Sequence, residues 1–341
     1  MKTERLELSA ECYEDSISRA AELLESGGIV AIPTETVYGL AASAYCEKAV
    51  EKIFTAKGRP QDNPLIVHIS DLDMIADITD GFDDKARKCA EAFWPGPFTM
   101  VLKRGEKIPK SVSAGLDTVA VRMPSDKVAR DIIKSSGLPL AAPSANTSGS
   151  PSPTTPYHVL NDLDGKIDAV IMGEECQVGL ESTVVTLCTE PPRLLRPGGV
   201  TVEELLKILP DLVVDTAVLS EPKADAEVAS PGMKYKHYAP KTETVLVSGS
   251  VDKFSSFVNN KKDSLAVCFH EDLDYLSVKY LSYGSIKNPE TLAHNLFSVL
   301  REVDSLKVKT VYIHAPDKKG VGLAVYNRLI RAAGFKIIEL H

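Results

Sequence analysis

Lys57-Gly58-Arg59-Pro60-Gln61-Asp62-Asn63-Pro64-Leu65-Ile66-Val67-His68 packs a helix end, a stiff turn and a strand into one short stretch. The residues before it, Glu47 to Ala56, have helical spacing. Gly58 lets the backbone leave that helix in a left-handed or extended turn, and Pro60 stiffens the exit. The apolar run Pro64–Val67 then predicts a strand ending at His68. Helix, turn and strand in that order predict an α/β chain. The same turn sets a point charge, Lys57, and a planar fork, Arg59, one glycine apart, a pair suited to phosphate or carboxylate. Taken alone, it is equally a helix C-terminus whose cations complement the helix dipole.

Working outward, helical patterns recur at 12–25, 83–94, 126–135 and 202–209. Strand-like runs recur at 28–32, 65–69, 98–103, 118–122, 138–142, 168–172, 183–187 and 193–196. The first two hundred residues therefore predict a mixed α/β domain with a large sheet. From about 211 the texture changes. Residues 215–243 keep no period, yet they hold Ser230-Pro231-Gly232-Met233-Lys234-Tyr235-Lys236-His237-Tyr238-Ala239-Pro240. Aromatics and cations in that half suggest a segment lying on something rather than a plain linker. From 244 strands alternate with helices to the end, as in a small parallel-sheet domain. The organisation expected is a catalytic domain at 1–212, a linker or lid at 213–243 and an α/β domain at 244–341.

A chain of 341 residues fits about two domains. With 44% apolar and 25% charged residues it is an ordinary globular composition, and the net charge of −8 argues against a whole-surface nucleic-acid footprint. A local basic cavity stays open. The six cysteines are scattered without a CxxC pair, which predicts reduced thiols in a cytosolic protein and no zinc site. Neither a signal-like N-terminus nor an apolar run long enough for a membrane span is present, so a cytoplasmic location with no membrane partner is expected.

Several clusters could carry chemistry. Gly320-Val321-Gly322 is a partial GxGxxG whose third glycine is replaced by Val325, and a tight strand-to-helix turn explains it as well. Pro143-Ser144-Ala145-Asn146-Thr147-Ser148-Gly149-Ser150-Pro151-Ser152 follows the strand Leu138–Ala142 and gathers uncharged donors where α/β sheets hold ligands. A solvated Ser/Asn turn is the plain alternative. Alternation along Asp117–Arg122 sends Thr118, Ala120 and Arg122 to one face. Arg59, Arg122 and Arg196 each end an apolar run close to a proline, so one end of the sheet would be lined with positive charge. An acidic protein that concentrates cations there suits a polyanion in a cleft. His68 is equally a core histidine or a ligand contact.

Together with Pro33-Thr34-Glu35-Thr36-Val37-Tyr38-Gly39-Leu40, Trp94-Pro95-Gly96-Pro97 and Arg122-Met123-Pro124, these stretches resemble the YrdC-type threonylcarbamoyl-AMP synthases. The 230–240 segment and the tail resemble the two-domain form of that family. The resemblance implies a large twisted mixed sheet whose helices form an open cavity, plus a small Rossmann-like domain. It also implies synthesis of L-threonylcarbamoyladenylate from L-threonine, bicarbonate or CO₂ and ATP, with Mg²⁺ accompanying the ATP. The product serves a tRNA-modifying threonylcarbamoyl transferase complex, with tRNA an indirect partner. The family's catalytic tetrad falls on Lys57, Arg59, Ser144 and Asn146. Its threonine contacts fall on Thr36, His68, Arg122, Ala142 and Ser182. Its ATP contacts fall on Arg59, Asn63, Thr118, Ser144, Ser152 and Arg196, with Tyr235 or His237 closing over the nucleotide. Two rivals use the same features: a non-catalytic RNA-binding module built on the basic cavity, and a carbamoyltransferase of the larger maturation proteins. The net charge counts against the first and the lack of CxxC pairs against the second.

Overall fold

The computed structural model describes residues 2–221 and 238–341. Among these, eleven strands form one mixed sheet: β1 (Glu4–Glu7), β2 (Val30–Ile32), β3 (Gly39–Ser43), β4 (Ile66–His68), β5 (Phe98–Lys103), β6 (Thr118–Arg122), β7 (Leu140–Ala141), β8 (Ala169–Met172), β9 (Thr183–Thr186), β10 (Arg193–Arg196) and β11 (Val213–Val214). Their spatial order is β1-β8-β2-β3-β7-β4-β6-β5-β9-β10-β11. The helices of this unit are α1 (Tyr13–Glu25), α2 (Glu47–Lys57), α3 (Asp84–Phe93), α4 (Lys127–Ser136), α5 (Pro156–Leu163) and α6 (Val202–Ile208).

The sheet is covered on both faces. On one, Ala31, Leu40, Val67, Val121 and Ala141 pack with Ala49, Val50 and Ile53 of α2 and Val159 and Leu163 of α5. On the other, Ile32, Ala41, Leu140 and Ile171 pack with Ile17, Ala20 and Leu24 of α1 and Ala129, Ile132 and Ile133 of α4. Those helix positions recur at three- and four-residue spacing, which is why an amphipathic helix forms and which face it buries. The alternation of the sequence locates most of these elements, but not β1, β3, β11 or α5. Every residue of β3, Gly-Leu-Ala-Ala-Ser, is buried, so it shows no polar alternation and little β-branched character. The eight-residue α5 is short for a periodicity signal, although Pro156 at its start and the Thr155 cap mark it.

The second sheet is all parallel, in the order β14-β13-β15-β12-β16, from β12 (Glu243–Ser248), β13 (Ser264–Phe269), β14 (Tyr280–Gly284), β15 (Thr310–His314) and β16 (Ile337–Glu339). It carries α7 (Val251–Asn259) on one side and α8 (Pro289–Val303) and α9 (Val321–Ala332) on the other. The α8–α9 core takes in Val37 and Leu180 of the first unit, so the two units share a buried apolar contact. Strand β11 and the short helix Thr216–Val218 extend the first unit's structure into the span 213–243 assigned to the linker.

Candidate active site

The α2–β4 turn is a Schellman cap. Gly58 takes the left-handed conformation at φ 61°, its N–H donates to the Thr55 carbonyl at 3.2 Å, and the Arg59 N–H donates to that of Phe54 at 3.0 Å. This fixes Lys57 inside the protein, 1% exposed. Its ammonium donates to the carbonyls of Ser144 and Asn146, 2.5 Å from each. The Lys57 carbonyl in turn accepts from the Ser148 N–H at 2.8 Å. Burial, reinforced by the neighbouring Arg59, pushes the Lys57 ammonium well below the ordinary lysine range.

The loop it grips is held on its other side by the first β-hairpin. Leu40 N–H donates to the Pro143 carbonyl and Ala145 N–H to that of Tyr38, each at 2.8 Å. Within the loop, Ser144 Oγ donates to Asn146 Oδ1 at 2.6 Å, and Asn146 Nδ2 donates to the carbonyls of Thr147 and Ser150. The sequence motif is thus folded into a fixed, hydrogen-bonded bracket around the Lys57 head.

Four cations and these donors converge on one cavity, lined among others by Thr36, Lys57, Arg59, His68, Arg122, Ala142, Ser144, Asn146, Glu181, Ser182, Arg196 and Tyr238. Arg59 reaches the Pro64 carbonyl at 3.2 Å. Arg196 donates to the Ser182 carbonyl and hydroxyl at 3.1 and 3.2 Å. Burial brings both guanidinium groups down to about 10, which leaves them charged at neutral pH. Ser182 Oγ also lies 2.7 Å from Thr99 Oγ1.

Strand register brings His68 beside Arg122, because β4 and β6 run parallel with these residues paired. Arg122 donates to Thr36 Oγ1 at 2.9 Å and forms a 2.8 Å ion pair with Glu35. Burial alone would raise the Glu35 carboxyl, but Arg122 overrides it and holds the group below its ordinary value. Burial, and then Arg122, drive His68 down to about 3, so its ring is neutral.

Of the expected contacts, Asn63, Thr118 and Ser152 do not line this cavity. Asn63 and Ser152 are buried behind it, with Ser152 Oγ donating to Glu181. Thr118 begins the strand that ends at Arg122, so it stands about 13 Å along β6. Tyr235 and His237 lie outside the described residues. Their neighbour Tyr238 is buried in the cavity wall, and Ala239 N–H donates to the Gly149 carbonyl of the bracket at 3.0 Å.

Comparison with known proteins matches residues 22–198 to the Sua5, YciO and YrdC family model, described as telomere recombination. Residues 200–334 match the model described as the threonylcarbamoyl-AMP synthase C-terminal domain. The chain belongs to the Sua5/YrdC family of threonylcarbamoyl-AMP synthases. Within that family it is 43% identical over 336 residues to the threonylcarbamoyl-AMP synthase of Pyrococcus abyssi, covering 96% of each chain. It is 41% identical to the Bacillus subtilis enzyme of that name over 332 residues, 96% of this chain and 95% of the other. The crystal structure of P. abyssi Sua5 complexed with L-threonine superposes with a TM-score of 0.90 at 39% identity, covering all of both chains.

Sequence reasoning about this Sua5/YrdC chain left Glu35 and Glu181 without roles. Glu35 lies inside the Pro33–Thr36 motif, but its partner Arg122 is far away in sequence. Glu181 adjoins Ser182, yet the group that neutralises it, Arg328, sits on α9, and no local pattern connects them.

Proposed function

We propose that this chain makes L-threonylcarbamoyladenylate from L-threonine, bicarbonate or CO₂ and ATP, releasing pyrophosphate. The observation that carries this reading is the convergence of Lys57, Arg59, Arg122 and Arg196 with Ser144 and Asn146 on one cavity. Threonine's amine adds CO₂ and loses a proton to give a carbamate. A carbamate oxygen then attacks the α-phosphate, and pyrophosphate leaves. Both reactants are anions, so charge repulsion is the main obstacle, and cations fixed before the reaction lower it without reorganising.

In this reading Arg59 and the Lys57 ammonium face the α-phosphate and carbamate oxygens, Ser144 and Asn146 orient them, and Arg196 takes nucleotide phosphates. Arg122, with its charge already shared with Glu35, and Thr36 receive the threonine carboxylate. Neutral His68, Ser182 and the Ala142 backbone hold its side chain and amine. ATP enters as its magnesium complex. The described residues offer no group of three or more His, Cys, Asp or Glu placed to hold a metal. Glu181 is already bonded by Arg328 and Ser152, so phosphates and water would carry the ion.

Asn63, Thr118 and Ser152 act as further nucleotide contacts only where the ligand extends beyond the cavity, and Tyr235 and His237 as its cover. The division into a catalytic unit (1–212), a covering segment (213–243) and a tail unit (244–341) belongs to the same proposal. The product is a mixed anhydride that water destroys. Its consumer is a transferase complex placing the threonylcarbamoyl group on the adenosine beside the tRNA anticodon, which puts the chain in the cytoplasm. The threonine-complexed relative favours catalysis over the RNA-binding alternative. The test is pyrophosphate release from ATP with bicarbonate, threonine being exchanged for other amino acids. Threonine-dependent release is expected, and equal release without any amino acid refutes the assignment.

A further inference from the structure

Two arginines of the tail unit cross into the first unit. Arg301 of α8 makes a paired contact with Asp162 at 2.9 and 3.0 Å and also donates to the Pro151 carbonyl, bracing the 143–152 loop. Arg328 of α9 goes deeper. It has no exposed surface, and its Nε donates to Glu181 Oε2 at 2.8 Å. Its Nη1 donates to the Pro197 carbonyl and to Asn327 Oδ1, each at 2.8 Å, and its Cζ lies 5.6 Å from the ring centre of Tyr238.

Glu181 is the one carboxylate among the described residues lining the cavity, opposite four cations. Burial alone would raise it, but Arg328 first and Arg196 second hold it below its ordinary value. It is therefore an anion at neutral pH, within the field of the groups assigned to the substrate phosphates. If it were free to turn, it would be their internal counter-ion. Two contacts prevent that: Ser152 Oγ on one oxygen and Arg328 on the other. Arg328 approaches from α9 and is not among the residues lining the cavity.

We propose that Arg328 is a positioning residue for the nucleotide: it neutralises Glu181 from outside the cavity, so that this carboxylate does not compete with the substrate phosphates for Lys57 and Arg59. The inference rests on the proposed function and assigns the tail unit a share in ATP binding without contact to ATP. A purely structural Arg328 would act on stability alone. A positioning Arg328 acts through Glu181, and that dependence is measurable as a coupling between the two.

The experiment titrates MgATP onto the full-length protein by calorimetry, with R328M, E181Q and the double variant E181Q/R328M beside wild type. Circular dichroism monitors the fold. R328M is expected to weaken ATP binding about tenfold, and E181Q/R328M to bind within about twofold of wild type, a coupling inside the range found for contacting residues. Equal weakening in R328M and the double variant overturns the proposal, as does wild-type affinity in R328M. If R328M does not fold, R328K and E181Q/R328K make the same comparison, since lysine keeps the charge and loses the fork. Calorimetry reads binding without turnover. A wild-type protein that binds ATP yet shows no threonine-dependent pyrophosphate release would therefore overturn the reaction while leaving the Arg328–Glu181 coupling to be judged separately.

Discussion

Lys57 shows how one side chain serves the fold and the chemistry together. Its ammonium holds the Ser144 and Asn146 carbonyls at 2.5 Å and makes a longer, 3.5 Å contact with Asn146 Oδ1. Lys57→Met should cut threonine-dependent turnover by about 10²–10³, the usual cost of losing one preorganised charge donor. It should also lower stability by about 1–3 kcal/mol for each carbonyl left unpaired. Pyrophosphate release and urea melts check the two effects, and surviving turnover would restore the plain helix-cap reading of the turn. His68 gives a pH signature. Its folded-state value of about 3 lies below the ordinary 6.5, so the unfolded chain binds the extra proton between those values. The contribution of His68 is complete above pH 6.5 and is lost progressively as the pH falls toward 3. Urea melts from pH 7 to 4 should show wild type losing more stability than His68→Asn. Parallel slopes would contradict this. Glu35, held low by Arg122 despite burial, acts in the same direction in the acid range.

At the scale of elements, the α2–β4 turn and the 143–153 loop act as one clamp. The Schellman cap needs a left-handed residue at position 58, where a Cβ would meet nothing within 4 Å. The cost of Gly58→Ala is thus conformational and not steric, about 1–2 kcal/mol. That small penalty should be accompanied by a larger fall in turnover, because Arg59 takes its direction from the same cap. A thermal melt beside the pyrophosphate assay separates the two. Turnover falling only in step with stability would show that the turn does not aim Arg59. The sequence made this clamp legible on one side: Gly58, Pro60 and the hydroxyl-rich loop announce themselves locally. What it did not show is β3. Its five buried residues carry no polar alternation, although its own Leu40 and the adjacent Tyr38 anchor the loop.

For the whole molecule, the tail unit braces the site. Arg301 ties α8 to Asp162, whose Oδ2 accepts from the Thr147 N–H at 3.1 Å inside the bracket, and Arg328 ties α9 to Glu181. A protein ending at residue 214 keeps both helix-covered faces of the large sheet, so it should fold, as circular dichroism would show. It should consume ATP while yielding little intact threonylcarbamoyladenylate, because the site loses its braces and the cover proposed for 213–243. Chromatographic assay of adenylate against ATP consumed tests this. An unchanged ratio would remove the tail from the reaction.

The sequence by itself determined the two α/β units, the periodic helices, the cationic turn and the serine–asparagine loop. Each of these rests on residues close together in the chain, where spacing, glycine and proline act directly on the backbone. Tertiary structure alone decided the order of the eleven strands, which sets His68 beside Arg122. It also decided which charges face a ligand and which are neutralised: Glu35 by Arg122, Glu181 by Arg328. Those pairings join residues 87 and 147 positions apart, read as 122 − 35 and 328 − 181. A buried charge is governed by its surroundings in space, and no local pattern specifies those.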